Sequence, residues 1–127
     1  MKIKEMNSFL KFILPSGVIA ITLAPFGIYI KKYYLKNTET INHEKIHLKQ
    51  QIEMLIIFFY IWYILEWLIK LIIFTVRKSK VKYESLSELN RIVYLNISFE
   101  KEAHENDKNL NYLNERKFYS WIKYIFK

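Results

Sequence analysis

The apolar residues of this chain fall into blocks whose spacing predicts a small N-terminal sheet followed by several helices. Residues 18–23 form a short apolar run that is rich in β-branched side chains, as strands are. A turn signal that contains Pro25 and Gly27 follows, and residues 28–35 continue as a second apolar run. We therefore predict a β-hairpin over these segments.

A signal peptide or membrane span over residues 12–30 is the alternative interpretation of the same region. Lys2 and Lys4 precede it, as basic residues precede a signal peptide. However, Lys11 interrupts the lead-in and no small-residue cleavage site follows. All prolines and glycines of the chain also lie between residues 15 and 27, which disfavours a continuous helix.

Helix signals begin before residue 41 and continue without Pro or Gly to the end of the chain. Residues 37–40 offer side chains suited to an N-cap. Residues 54–76 are long and apolar enough to span a bilayer, although Glu66 and Lys70, spaced for an i,i+4 ion pair, interrupt them. This segment is expected to span a membrane, to lie in its interface or to pack inside the protein.

Shorter helices are predicted in the C-terminal third. Residues 83–95 predict a helix with Ser85 or Ser87 as its cap, and a break follows at residues 96–98. Ser98 is expected to cap a further helix from residue 99 to about residue 113.

The aromatic, amphipathic tail at residues 118–126 predicts either a docking helix or a membrane-surface anchor. Together the elements indicate an α+β fold in a single domain, residues 1–127. Its parts are a hairpin region (1–36), a helical middle (37–76) and a C-terminal part (77–127) that opens on a basic loop.

Composition narrows the classes of site that the chain can build. It has 127 residues, no cysteine and a formal net charge of +8. The lack of cysteine excludes disulfides, thiolate metal sites and cysteine nucleophiles. The basic residues are dispersed apart from residues 77–82, and no nucleic-acid-binding motif is present, so we expect no nucleic-acid partner. A membrane surface is the favoured partner, because basic residues flank the apolar segments.

The most specific chemical signal is the sequence HEKIH at residues 43–47. Residues four apart share one face of a helix, so His43 and His47 can present two imidazole nitrogens to one metal ion. Zinc favours such ligands, and a catalytic zinc site combines three protein ligands with an open water position. Glu44 lies one step around the helix and is the expected general base. A chance occurrence of the motif is the alternative.

A third zinc ligand must come from elsewhere in the chain. In one known arrangement a Gly ends the helix and a later His returns, but Gln50 and Glu53 occupy those positions here. In another, a later helix supplies a Glu, and residues 99–104 (FEKEAH) offer Glu100. Ala103 shares a face with Glu100 and allows close approach of the two helices. An ordinary first-turn acid is the alternative for Glu100.

Weaker roles are predicted for the neighbouring polar residues. His104, one turn beyond Glu100, is a candidate catalytic residue that stabilises an oxyanion or hydrogen-bonds a ligand. An exposed histidine without a role is the alternative. The remaining polar residues near the two motifs are expected to be solvated: Gln50, Glu102, Glu105 and Asp107. For Gln50, which lies one turn past His47, orientation of a ligand is the alternative.

The predicted site conflicts with a single membrane crossing. A crossing by residues 54–76 would place His43 and Glu100 on opposite sides of the bilayer, and no later segment is apolar enough to return. A metal site completed from downstream and a single crossing are therefore mutually exclusive. A single-span membrane protein with a chance HExxH remains a separate hypothesis.

The two motifs, HEKIHLKQQ and FEKEAH, resemble those of the gluzincin zinc metallopeptidases, and more distantly those of membrane-embedded β-lactam-sensor and CAAX-protease-type peptidases. The resemblance implies that His43, His47 and Glu100 bind Zn²⁺, and that the edge of a small sheet pairs with an extended peptide. In the family the E-x-x-A segment usually continues with Asp, and His104 stands there in this chain. That departure affects the network that orients the ligands.

The sequence therefore predicts a zinc metalloendopeptidase that acts on polypeptides at a membrane surface, on the cytoplasmic face of a bacterial membrane. The alternative is a catalytically inactive or latent membrane-associated binding or regulatory protein with a degenerate peptidase fold. Neither hypothesis predicts an oligomeric state.

Overall fold

A computed structural model describes residues 2–77 and 82–127 of the chain. The fold is mixed α+β, with a small sheet near the N-terminus followed by helices, as the sequence predicts. In chain order the regular elements are β1 (Ile3–Glu5), α1 (Ser8–Ile13), β2 (Ala20–Leu23), β3 (Gly27–Ile30), α2 (Thr38–Glu53), α3 (Ile57–Val76), α4 (Leu86–Asn96), α5 (Ser98–Asn106) and α6 (Tyr112–Glu115). Short 3₁₀ segments cover Lys32–Tyr34 and Ser120–Tyr124.

The sheet has the strand order β1-β3-β2, so β2 lies at an edge. Strands β2 and β3 form the predicted hairpin, with Ala20 opposite Ile30 and Leu23 opposite Gly27. The second strand ends at Ile30 rather than at residue 35, because the chain turns into a 3₁₀ segment. Strand β1, which pairs in parallel with β3, was not predicted. A side chain at Gly27 would meet the Lys2 carbonyl, since a Cβ there would lie 3.0 Å from it.

Helix α2 begins and ends for local reasons. The Asn37 side chain accepts a hydrogen bond from the Thr40 backbone N–H at 2.9 Å, which confirms the predicted cap. The helix ends at Glu53, and Leu55 and Ile56 then adopt positive φ angles of 51° and 63°. This sharp break separates α2 from α3 without any Gly or Pro. For that reason the hydrophobic pattern did not predict it.

Helix α3 has two different sides. Its inner side joins a buried cluster made of Phe59, Ile97, Phe99 and Trp121. Its outer side is exposed and apolar along the length of the helix. Among the described residues α3 is the helix whose length and composition suit a membrane crossing, and only 11% of its most apolar stretch is buried.

Glu66 ties the middle of α3 to the start of α5. It is 6% exposed, and the predicted ion pair with Lys70 forms at 2.9 Å. Its carboxylate also accepts hydrogen bonds from the backbone N–H and the hydroxyl of Ser98. The prediction that the Ser98 side chain caps α5 was wrong, because Ser98 lies inside the helix and Glu66 takes the capping position instead.

The C-terminal third differs in part from its prediction. Ser85 caps α4 as predicted, accepting from the Glu88 N–H, but α4 begins only at Leu86. The predicted helix over residues 99–113 was wrong, because α5 ends at Asn106 and a separate turn, α6, follows. The tail docks on α5 as a 3₁₀ segment through buried Trp121 and Tyr124. Residues 78–81 of the predicted basic loop lie outside the described residues.

Glu66→Ala should destabilise the fold by about 3 kcal/mol, because Lys70 and the N-terminus of α5 would lose a buried anionic partner. Chemical denaturation would measure the free energy of unfolding. Glu105→Ala is the matched control, since Glu105 pairs with Lys127 at the surface and should contribute about 0.5 kcal/mol or less. Equal losses in the two variants would contradict the capping role of Glu66.

Candidate metal centre

Helices α2 and α5 bring the three predicted metal ligands together. The Nε2 atoms of His43 and His47 lie 3.1 Å apart. The Glu100 Oε2 atom lies 3.3 Å from the first nitrogen and 3.2 Å from the second. All three residues are buried, at 9%, 6% and 4% exposure. Two imidazoles from one helix and a carboxylate from another therefore converge on one point.

The donor set suits zinc. For a tetrahedral ion with bonds of about 2.0–2.1 Å, neighbouring ligand atoms lie about 3.3 Å apart, which is close to the three separations here. Two imidazole nitrogens and one carboxylate oxygen are ligands that zinc accepts, whereas magnesium and calcium prefer oxygen alone. The residues thus fit a zinc ion with a fourth position left for another ligand.

Electrostatics at this point require a positive charge. Burial by itself lowers the pKa of His47, but the attraction of the Glu100 carboxylate is larger than this effect and raises the pKa to about 9. Burial likewise opposes a charged Glu100, yet His47 and His43 hold the pKa of Glu100 well below its usual range. Without a metal, a proton on His47 balances the carboxylate. A divalent cation can replace that proton.

Gln50 determines the tautomer of His47. Its Oε1 lies 2.7 Å from His47 Nδ1, while its Nε2 donates to the Phe99 carbonyl and to the Glu102 carboxylate at 3.0 and 2.8 Å. Because both of the latter partners only accept, the amide has one satisfactory orientation, and His47 must carry its proton on Nδ1. The Nε2 lone pair is left for a metal. The expectation that Gln50 is solvated was wrong, since it is 0% exposed.

Glu102 extends this network to the C-terminal segment. It is 0% exposed and accepts from the Tyr112 hydroxyl at 2.8 Å and from the Arg116 guanidinium. Arg116 also pairs with Glu53, so that a buried cation joins α2 to α5. The expectation that Glu102 is a surface acid was wrong, because its partner lies fourteen residues further along the chain.

Asp107 orients the other histidine. Its Oδ2 lies 3.2 Å from His43 Nδ1, which places the proton of His43 on Nδ1 and frees Nε2. Asn42 holds this segment by donating to the backbone carbonyls of Asp107 and Asn109 at 2.8 and 3.0 Å. The expectation that Asp107 is a solvated acid was therefore wrong. Its position seven residues after Glu100, two turns along the same face, was the available signal.

Two tyrosines lie beside Glu100. The Tyr63 hydroxyl donates to Glu100 Oε1 at 3.0 Å, so each carboxylate oxygen has a separate partner. Burial and the nearby Glu100 carboxylate raise the pKa of Tyr63 and of Tyr94. Both phenols consequently stay protonated and act as hydrogen-bond donors at neutral pH. Neither residue was identified from the sequence.

The side chain of Glu44, the predicted general base, extends from α2 towards strand β2. It is 6% exposed, and its Oε2 accepts from the Thr22 hydroxyl on β2 at 2.7 Å. The same hydroxyl lies 2.9 Å from the Glu44 backbone carbonyl. Thr22 thus fixes the carboxylate in place, and the alternation pattern of a hairpin gave no reason to single it out.

His104 lies at the edge of the site. Its side chain is 44% exposed, its ring centre is 4.5 Å from that of His43, and its Nε2 is 3.8 Å from Glu100. Burial and the neighbouring His43 lower the pKa of His104, so it is neutral at pH 7. His43, His104 and Asp107 also come within 4.8 Å of one another, but they share His43 with the buried set. The buried set is the better candidate for a metal, because its ligand atoms lie 3.1–3.3 Å apart, whereas His104 Nδ1 and Asp107 Oδ2 are separated by 3.8 Å.

A cleft of about 980 Å³ gives access to these residues. His43, Glu44 and His104 line it together with residues of the α1–β2 loop, α3 and α4. Glu105 faces away as an exposed surface acid, as expected. Glu53 also points away from the ligand face, towards Arg116, as the unbroken HExxH helix predicted.

Comparisons with protein-family models, with curated proteins and with solved structures found no match for this chain.

Asp107→Ala should weaken zinc binding by about 10- to 100-fold, because the His43 ring would lose the acceptor that sets its tautomer and direction. Competition with a chromophoric chelator would measure the dissociation constant. Glu105→Ala, which removes an exposed acid two residues away, is the control and should leave the constant unchanged. A similar constant in both variants would refute the orienting role.

Proposed function

We propose that this protein is a zinc-dependent metallopeptidase of the gluzincin type. The single observation that carries the proposal is the approach of His43 Nε2, His47 Nε2 and Glu100 Oε2 to within 3.1–3.3 Å of one another. Their helices are separated by α3 and α4, so the convergence is a property of the fold and not of a short motif.

The open cleft supports a catalytic site over a structural one. A structural zinc site is closed by four protein ligands, whereas a catalytic site has three and an exposed fourth position. Here His43 and Glu44 both line the cleft, so a fourth ligand can enter from solvent. When bound, the zinc ion would supply a Lewis acid that activates water and polarises a substrate carbonyl.

Glu44 is suited to move the proton in this reaction. Thr22 holds one of its carboxylate oxygens, and the residue lines the cleft beside His43 and a smaller pocket together with His47 and Glu100. A carboxylate in this position takes a proton from water and returns it to the leaving amine. His104, neutral at pH 7, and the protonated Tyr94 also line the cleft and offer donors to a developing oxyanion.

An extended polypeptide fits the free edge of β2. The Lys31 N–H bonds to the Ile19 carbonyl, and hydrogen-bonded pairs alternate along an antiparallel ladder. The backbone groups of Ile21 therefore face β3, and those of Ala20 and Thr22 face away from it. Gln51 occupies one end of this edge by donating to the Thr22 carbonyl at 2.8 Å. The remaining groups can pair with a substrate strand.

Glu44→Gln should retain one zinc ion but lose peptide hydrolysis by about 10²- to 10⁴-fold, because the amide cannot accept the proton of water. His43→Ala should lose both zinc and activity. Metal analysis together with cleavage of an unfolded protein substrate would measure the two properties. Glu39→Gln, a cleft-lining change one turn before the motif, is the matched control and should alter neither.

Wild-type protein that carries no zinc after expression in zinc-replete medium would overturn the metal site. Bound zinc without hydrolysis of any peptide would instead favour the inactive or latent binding protein.

A further inference from the structure

Helix α3 exposes an apolar surface that the proposed metal centre does not use. The residues on this surface share an aliphatic or aromatic side chain and an exposure between 39% and 76%: Ile57, Phe58, Ile61, Ile64, Leu65, Leu68, Ile69, Ile72, Ile73 and Val76. We call this set the α3 outer face. It contains no charged residue along a helix of 20 residues, which is about 30 Å. Patches of this extent mark contact with lipid or protein.

The charged residues of α3 point the other way. Glu66 is buried against Ser98, and Lys70 pairs with Glu66 and donates to the Asn96 carbonyl. The helix therefore separates its polar groups from its apolar groups by side. This separation is the pattern of a helix that lies at a boundary between protein and lipid.

We propose that α3 lies in the surface plane of an anionic bilayer and that the cleft beside it receives polypeptides attached to that membrane. The second half of this statement rests on the proposed peptidase function, and the first half does not.

A spanning orientation conflicts with the contacts of α3. Trp67, near the middle of the helix, donates to Asn90 of α4 at 2.9 Å, and Asn90 and Arg91 are exposed beside it. If α3 crossed a bilayer, these polar residues would lie at the depth of the hydrocarbon core. In addition, α2 and α5 meet at the metal ligands although one precedes α3 and the other follows it. An in-plane orientation keeps α4 in water and buries only the α3 outer face.

Charge favours a lipid partner over a second copy of the chain. The net charge is +8, so two copies repel each other, whereas an anionic leaflet attracts each copy. The α3 outer face is also the convex side of a single helix. A fluid acyl-chain surface adapts to such a shape.

The cleft opens between two exposed apolar elements. Ile64 and Trp67 of α3 form one wall of it. Pro15, two residues after the end of α1, also lines the cleft, and α1 exposes Phe9, Phe12 and Ile13 together with Lys11. A protein seated on lipid through α3 would hold this opening at the membrane surface. Extended segments next to a lipid anchor or a transmembrane helix would then be its substrates.

Vesicle binding tests the docking surface without any need for activity. The Glu44→Gln protein should bind to vesicles that mix phosphatidylglycerol with phosphatidylcholine, and bind less to vesicles of phosphatidylcholine alone.

A double variant tests which surface makes this contact. Leu65→Asp combined with Ile72→Asp should reduce vesicle binding at least about tenfold, because two charged side chains would replace apolar ones at the lipid contact. Leu86→Asp combined with Leu110→Asp is the matched control, since both lie exposed outside α3. Absence of binding, or equal loss in both double variants, would overturn the proposal.

Depth measurements separate the two membrane orientations. The chain has no cysteine, so Phe58→Cys, Leu65→Cys and Ile72→Cys can each carry one fluorophore. Quenching by lipids that carry nitroxides at defined depths should place all three fluorophores at the same shallow depth in the bilayer. A deep position for residue 65 with shallow positions for 58 and 72 would show spanning and would overturn the in-plane orientation. If the protein were a dimer in solution and the double variant Leu65→Asp, Ile72→Asp were a monomer, the α3 outer face would be assigned to self-association instead.

The substrate class is tested with one peptide in two forms. A peptide anchored to vesicles by a lipid chain should be cleaved at least about tenfold more efficiently than the free peptide. The aspartate double variant on α3 should lose this advantage but retain cleavage of the free peptide. Equal cleavage of both forms by the wild type would overturn the substrate assignment while leaving the peptidase function intact. No cleavage of either form would overturn the peptidase function and with it the substrate class, and vesicle binding would still decide the docking.

Discussion

The contact between α2 and α5 depends on hydrogen bonds among buried polar side chains, and Gln50 lies at their centre. Its amide satisfies His47, the Phe99 carbonyl and Glu102 at once. Ala103, 0% exposed, leaves room for the helices to approach. If this contact loosened, the Glu100 carboxylate would be buried without its imidazole partners, at a cost of several kcal/mol. The geometry of the candidate centre therefore depends on a network that contains no metal ligand other than His47.

Helix α3 supports this contact from one side and faces outward on the other. Tyr63 holds the second oxygen of Glu100, and Glu66 caps the helix that carries it. The same helix exposes the apolar surface that we assign to lipid. On that assignment, one helix would determine both how the protein contacts lipid and where Glu100, the proposed third ligand, lies.

Local patterns were sufficient to predict the elements that depend on neighbours in sequence. The hairpin follows from β-branched runs around a Pro-Gly turn, the α2 cap from the side chains of residues 37–40, and the shared face of His43 and His47 from a spacing of four. Glu100 was identified because a short motif carried it. These residues converge in the structure, and their role as metal ligands stays a prediction.

What the sequence did not reveal depends on long-range partners. Glu102 appeared to be a surface acid because Arg116, which neutralises it, follows only after α5 has ended. The break between α2 and α3 uses positive φ angles at Leu55 and Ile56, residues that do not signal a turn. Strand β1 is too short, at three residues, to show an alternation pattern. In each case tertiary context outweighed local propensity.

X-ray absorption at the zinc edge of the metal-loaded protein would test directly whether His43, His47 and Glu100 bind one zinc ion, because it counts the ligands around the ion. We expect one zinc ion with two imidazole groups and oxygen ligands at about 2.0–2.1 Å, and loss of the second imidazole signal in His47→Ala. A spectrum without imidazole scattering, or one that His47→Ala leaves unchanged, would contradict this expectation.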